Sequence, residues 1–123
     1  MMHDRAVKTA RPSVFPRIRI VLPGGTIVMG PGKADLLDAV ARSGSIRSAA
    51  AELEMSYMRA WSLIRTMNEA FRTPLVEKVR GGAEKGGAGL TDRGRRVLRL
   101  YRRMEREARR AIAASTKTML GEL

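Results

Sequence analysis

Ser45-Ile46-Arg47-Ser48-Ala49-Ala50-Ala51-Glu52-Leu53-Glu54-Met55-Ser56-Tyr57-Met58-Arg59-Ala60-Trp61 decides the reading of this chain. Ser45 is placed to cap a short helix over Ile46–Leu53, whose alanines let a second helix approach closely. Glu54-Met55 makes a tight turn. Ser56 then caps a longer helix from Tyr57 to about Phe71, with Ala60, Ile64, Met67 and Phe71 at helical spacing on its inward face. This is the pattern of a helix-turn-helix. The cap aims backbone N–H groups at phosphate, and side chains at the start of the second helix reach base edges. The candidates for DNA contact are Ser56, Tyr57, Met58, Arg59 and Ser62, with Arg65 one turn on and Arg47 beside them. Arginine is suited to guanine, whose O6 and N7 it can bind with two hydrogen bonds. A plain helical hairpin in a small bundle is the competing reading. Trp61, four residues after Tyr57, reads as a packing residue in preference to a base contact.

The flanks extend the pattern. Upstream, Lys33–Arg42 carries Leu36, Leu37, Val40 and Ala41 on one face and stops at Ser43-Gly44. Before it, Arg17–Leu22 and Thr26–Met29 flank Pro23-Gly24-Gly25 and read as a β-hairpin ended by Gly30-Pro31-Gly32. Downstream, Thr73-Pro74 breaks the long helix and Leu75–Val79 reads as a strand. Arg80–Gly89 is a glycine-rich loop and Gly89-Leu90 a short return strand. Thr91 caps a last helix over about 91–116. The resulting fold class is mainly α (α+β): a winged helix-turn-helix with an amino-terminal hairpin and a long carboxy-terminal helix. Residues 1–16 read as a flexible tail, 17–116 as the domain and 117–123 as a fraying end.

Glycines in the wing let the backbone approach a sugar-phosphate chain, and Arg80 and Lys85 supply charge. A merely flexible loop is the alternative there; a phosphate-cradling nucleotide loop lacks its lysine-serine/threonine ending. The last helix places Val97, Tyr101, Met104, Ala108 and Ala111 on a heptad-like stripe, widened by Ile112. Val97, Tyr101, Met104, Ala108 and Ile112 are therefore the expected dimerisation contacts, and a monomer with a projecting helix is the alternative. Asp35 and Asp38, three apart, read as a solvated face.

Composition agrees with this chemistry. The chain has 123 residues, 24 Lys plus Arg against 12 acids, no cysteine and a single histidine, His3. The charge of +12 favours a polyanion partner, double-stranded DNA first. Thiol and histidine-relay catalysis and Cys-ligated zinc are excluded, so an enzyme is disfavoured and no cofactor or metal is expected. Five aromatics are too few for single-strand stacking platforms. No apolar run is long enough to span a membrane and no signal peptide is evident, which gives a cytoplasmic expectation. Charge is uneven: residues 33–71 are neutral overall, while 91–112 hold nine arginines and three acids. That helix is either a phosphate-binding surface or the solvated side of a dimer helix.

Four pieces together resemble the amino-terminal DNA-binding domain of the ModE family of molybdate-responsive regulators, itself related to LysR-type winged helices. They are Ser43-Gly44-Ser45-Ile46 with its alanines; Ser56-Tyr57-x-x-Ala60-Trp61; Asn68 leading to Leu75-Val76-Glu77; and Gly81-Gly82 through Gly86-Gly87-Ala88 to Leu90-Thr91, Gly94 and Leu100-Tyr101. The resemblance implies a homodimer on palindromic operator DNA, base contacts from the helix opened by Ser56 and phosphate contacts from the wing. Two departures bear on function. The sequence ends at Leu123, which leads to the expectation of a regulator without a molybdate-binding domain, with a separate sensor protein as a possible partner. Met58 and Arg59 stand where base preference is set, so the operator of the family does not carry over. The alternative function is a protein-interaction or non-specific nucleic-acid-binding module that uses the basic last helix.

Overall fold

The computed structural model describes residues 11–79 and 87–123. Strands β1 (Ile20–Val21) and β2 (Ile27–Met29) pair antiparallel around Gly24 and Gly25, both at positive φ. Helix α1 follows at once, Pro31–Ser43. It starts two residues earlier than expected, because a proline at the first helical position gives up an N–H that has no helical partner anyway. Gly44 ends α1 at φ 73° and its N–H donates to the Val40 carbonyl at 2.9 Å, a left-handed cap.

Helix α2 (Ile46–Glu52) and α3 (Tyr57–Ala70) form as the two serines dictate. Ser45 Oγ accepts from Ser48 N at 3.1 Å and Ser56 Oγ from Arg59 N at 3.0 Å. Between them Glu54 takes φ 57° and makes the turn. Strands β3 (Val76–Val79) and β4 (Gly87–Leu90) pair from Val76–Leu90 to Val79–Gly87. The return strand is thus longer than Gly89-Leu90. Glycine and alanine carry little strand signal, but the Ala88 N–H donates to the Gly44 carbonyl at 2.9 Å and its side chain is buried. That tertiary bond extends the strand onto the α1–α2 turn.

Helix α4 (Asp92–Ala111) opens on Thr91, whose Oγ1 accepts from Gly94 N at 2.9 Å. The expected single helix over 91–116 is instead interrupted at Ile112, and α5 (Ala113–Leu120) continues beyond it. The end at 117–123 is therefore helical to Leu120, where alanine, lysine, methionine and leucine supply good helix formers. Phe15, expected in the tail, lies against α4, with the Arg109 guanidinium 5.3 Å from its ring centroid.

One core joins these elements. Met29 of β2, Leu36, Leu37 and Val40 of α1, Ile64 and Met67 of α3, Leu75, and Tyr101 of α4 are all fully buried. None of the described helices is long and apolar enough to cross a membrane.

Candidate nucleic-acid interface

Helix α3 buries Ala60, Ile64 and Met67 and is thereby turned so that Met58, Arg59, Ser62 and Arg65 face solvent. Met58 is 76% exposed although it is apolar. The expected base-reading residues thus form one outward row on a capped helix. Ser56 is exposed at its head, its hydroxyl committed to the cap. Tyr57 is only half-buried: its phenol oxygen accepts from Trp61 Nε1 at 2.6 Å, and the Arg47 guanidinium lies 4.5 Å over its ring. Trp61 packs against the core as expected, but it also bonds outward to Tyr57.

Lys33, at the start of α1, was missed by sequence reasoning. Partial burial, and then the like charge of Arg59, hold its pKa below the ordinary lysine value. The charge of Arg59 thus reaches a lysine 26 residues earlier in the sequence, and no local spacing signals that. Three of the five acids between residues 33 and 71 are engaged by arginines outside the row. Glu52 pairs with Arg42 at 2.5 Å. Asp35 and Asp38, read as a solvated face, instead hold Arg102 of α4 at 2.8 and 2.6 Å. Burial alone would lower the Arg102 pKa; hydrogen bonds to Asp35, Asp38 and Glu105 more than reverse that and raise it. The pairing is tertiary, so the i, i+3 spacing of the two aspartates could not reveal it.

Asn68 ties the wing to α3. Asn68 Oδ1 accepts from the Leu75 and Val76 N–H groups at 2.8 and 3.2 Å, and its Nδ2 donates to the Val76 carbonyl at 3.2 Å. The last turn of α3 thereby fixes the first residues of β3. Arg80 and Lys85, the expected phosphate contacts, lie outside the described residues.

Of the expected dimerisation residues, Tyr101 is misassigned. It is 1% exposed and its hydroxyl donates to the Ile18 carbonyl at 2.7 Å, so it belongs to the core. The heptad count placed it correctly on the stripe, but the segment leading into β1 covers it. Met104 and Ile112 are exposed, and Val97 and Ala108 are half-buried. Leu100, 51% exposed, lies on the same side of α4. On another face Arg96, Arg99, Arg106 and Arg110 make no ion pair with the described residues, whereas Arg103 pairs with Glu107 at 2.9 Å. No cluster of His, Cys, Asp and Glu among the described residues is arranged to hold a metal.

Known proteins share both fold and sequence with this chain. ModE of Azotobacter vinelandii, a molybdenum transport protein, is 47% identical over 77 residues, 63% of this chain and 28% of that protein. The molybdenum-pterin-binding protein MopB of Rhodobacter capsulatus is 34% identical over 91 residues, 74% of this chain and 34% of its own length. The DNA-binding transcriptional dual regulator ModE of Escherichia coli K12 is 42% identical over 71 residues, 58% of this chain and 27% of that one. The chain therefore spans about a third or less of these relatives. The chain in the crystal structure of the CbnR_DBD–DNA complex superposes with a TM-score of 0.57 over 72% of this chain and 95% of that one, at 23% identity, which supports the fold. Residues 33–95, from the start of α1 through the wing into α4, match the bacterial regulatory helix-turn-helix proteins of the LysR family, and the chain belongs to that family.

Proposed function

We propose that this chain is the DNA-reading part of a ModE-type transcriptional regulator that binds operator DNA as a homodimer. The observation that carries the reading is the solvent-facing row Met58, Arg59, Ser62 and Arg65 on a helix capped by Ser56. In this reading α3 enters the major groove and the wing follows the backbone. Two copies joined along the Leu100–Met104 side of α4 place two such helices on half-sites about 34–36 Å apart. Selection of bound sequences from a random duplex library at about 150 mM salt tests this. An enriched inverted repeat is the expected result. Binding without enrichment, vanishing as salt rises, would overturn it. That outcome would favour a second reading, supported by the arginine face Arg96, Arg99, Arg106 and Arg110: a module that grips polyanions or acidic partners without reading sequence.

A further inference from the structure

We propose that Tyr57 and Arg47 form a clamp for one backbone phosphodiester of duplex DNA and that Trp61 is its positioning residue; the proposal rests on the DNA-binding reading above. The indole nitrogen can only donate, and it donates to the phenol oxygen of Tyr57 at 2.6 Å. One lone pair of that oxygen is thereby occupied, and the single phenol proton is turned away from the indole. A hydroxyl that accepts one strong bond is also a better donor in the next, because the bonds polarise one another. Among the described residues no acceptor takes that proton. The Arg47 guanidinium rests 4.5 Å over the Tyr57 ring centroid, a cation–π contact that keeps the two side chains together.

The two donors stand at the heads of two helices. Arg47 is the second residue of α2 and Tyr57 the first of α3. They border a cleft of about 380 Å³ between these helices and the wing strands, where Arg47 and Lys78 outnumber Glu77. A phenol with one proton to donate and a donor-only guanidinium at a cationic opening fit an oxyanion. The pair lies to one side of the outward row that begins at Met58, so it addresses the backbone and leaves base edges to that row.

Binding of a duplex by the full chain, followed by fluorescence anisotropy across a salt series, tests the assignment. Tyr57→Phe weakens selected and random duplexes alike by about three- to ten-fold, the value of one hydrogen bond, with the salt slope unchanged because a neutral donor releases no counterion. Arg47→Ala weakens both and lowers the slope by about one unit. Trp61→Phe weakens binding as Tyr57→Phe does, yet adds nothing in the Tyr57→Phe background. Additive effects of the two substitutions, or wild-type affinity in Trp61→Phe, would overturn the positioning role. Where Trp61→Phe does not fold, the same bond is read from its other end. Trp61 is the only tryptophan, and its single indole N–H proton resonance exchanges faster in Tyr57→Phe and slower when duplex is added to wild type. An indole signal indifferent to both overturns the proposal. Absence of any duplex binding by the wild-type chain would instead sink the DNA-binding reading itself.

Discussion

Gly94 lies so close to Leu75 that a Cβ built on it would stand 2.1 Å from the Leu75 carbonyl oxygen. The contact joins the first turn of α4 to the start of the wing. Thr91 reinforces it: its N–H donates to the Leu75 carbonyl at 2.9 Å and its hydroxyl to the Pro74 carbonyl at 2.7 Å. The helix expected to dimerise and the hairpin expected to touch DNA therefore share one rigid junction.

Gly94→Ala is expected to destabilise the domain by at least about 2 kcal/mol, because backbone must move to admit the methyl group. The gain in helix propensity, about 1 kcal/mol, is smaller and of opposite sign. Chemical denaturation measures the balance. A variant as stable as wild type would show that α4 can slide away from β3 at little cost.

Asn68→Ala strips the wing of its tie to α3. It leaves the Leu75 and Val76 N–H groups and the Val76 carbonyl without the partner they have now. The expected loss is about 1–3 kcal/mol. For a domain near 100 residues that is roughly 4–8 °C of melting temperature per kcal/mol. A melting temperature within a degree of wild type would mean that water replaces the amide without penalty.

These two positions show what a single sequence reveals. The helix caps Ser45, Ser56 and Thr91 were legible, because each cap bond is closed within three residues of its serine or threonine. Leu36, Leu37 and Val40 of α1 and Ala60, Ile64 and Met67 of α3 were legible for the same reason, since helical period is local, whereas Ala41 and Phe71, at the helix ends, are exposed and half-buried. What was hidden is tertiary. Ala88 becomes a strand residue through Gly44, and Asp35 and Asp38 find Arg102 more than 60 residues away. Tyr101 was placed on the right helix face but not in the core, since its cover comes from Ile18, 83 residues earlier. The influence of Arg59 on Lys33 left no local trace at all. At the candidate interface the outward row was readable from spacing, whereas the Tyr57–Trp61 bond was visible only as a shared face.

Tyr101 predicts an alkaline response. Burial, and then the negative charge of Glu105, raise its pKa above the ordinary tyrosine value of 10, against the opposing influence of Arg102. The folded state thus favours the neutral phenol. Its contribution is complete below about pH 10 and is lost as pH rises through the folded value. Wild type should lose stability above pH 10 more steeply than Tyr101→Phe, which forgoes the bond to Ile18 and costs about 1 kcal/mol at neutral pH. Parallel stability curves for the two proteins above pH 10 would contradict this.

Leu100 and Met104 predict the oligomeric state. Both are exposed on one side of α4, 51% and 40%, so neither supports the fold of its own chain strongly. The double substitution Leu100→Glu with Met104→Glu should shift sedimentation from dimer to monomer while the unfolding of the monomer changes by less than about 1 kcal/mol. An unaltered dimer would move the interface elsewhere on the molecule.

Arg59 predicts where specificity resides. It is exposed in the outward row of α3, and its positive charge is felt by the partly buried Lys33. Like charges repel, and each of these cations gains when an anion or an electronegative base edge approaches it. An arginine that reads guanine through O6 and N7 contributes about 1–3 kcal/mol at one base pair. Arg59→Ala should therefore relax the selected sequence at one position of each half-site and leave the remaining positions enriched. Lys33→Ala should weaken every duplex alike and lower the salt slope by about one unit, as loss of a phosphate contact does. If Arg59→Ala also weakens all sequences equally, both cations serve the backbone, and base preference must come from Met58, Ser62 and Arg65.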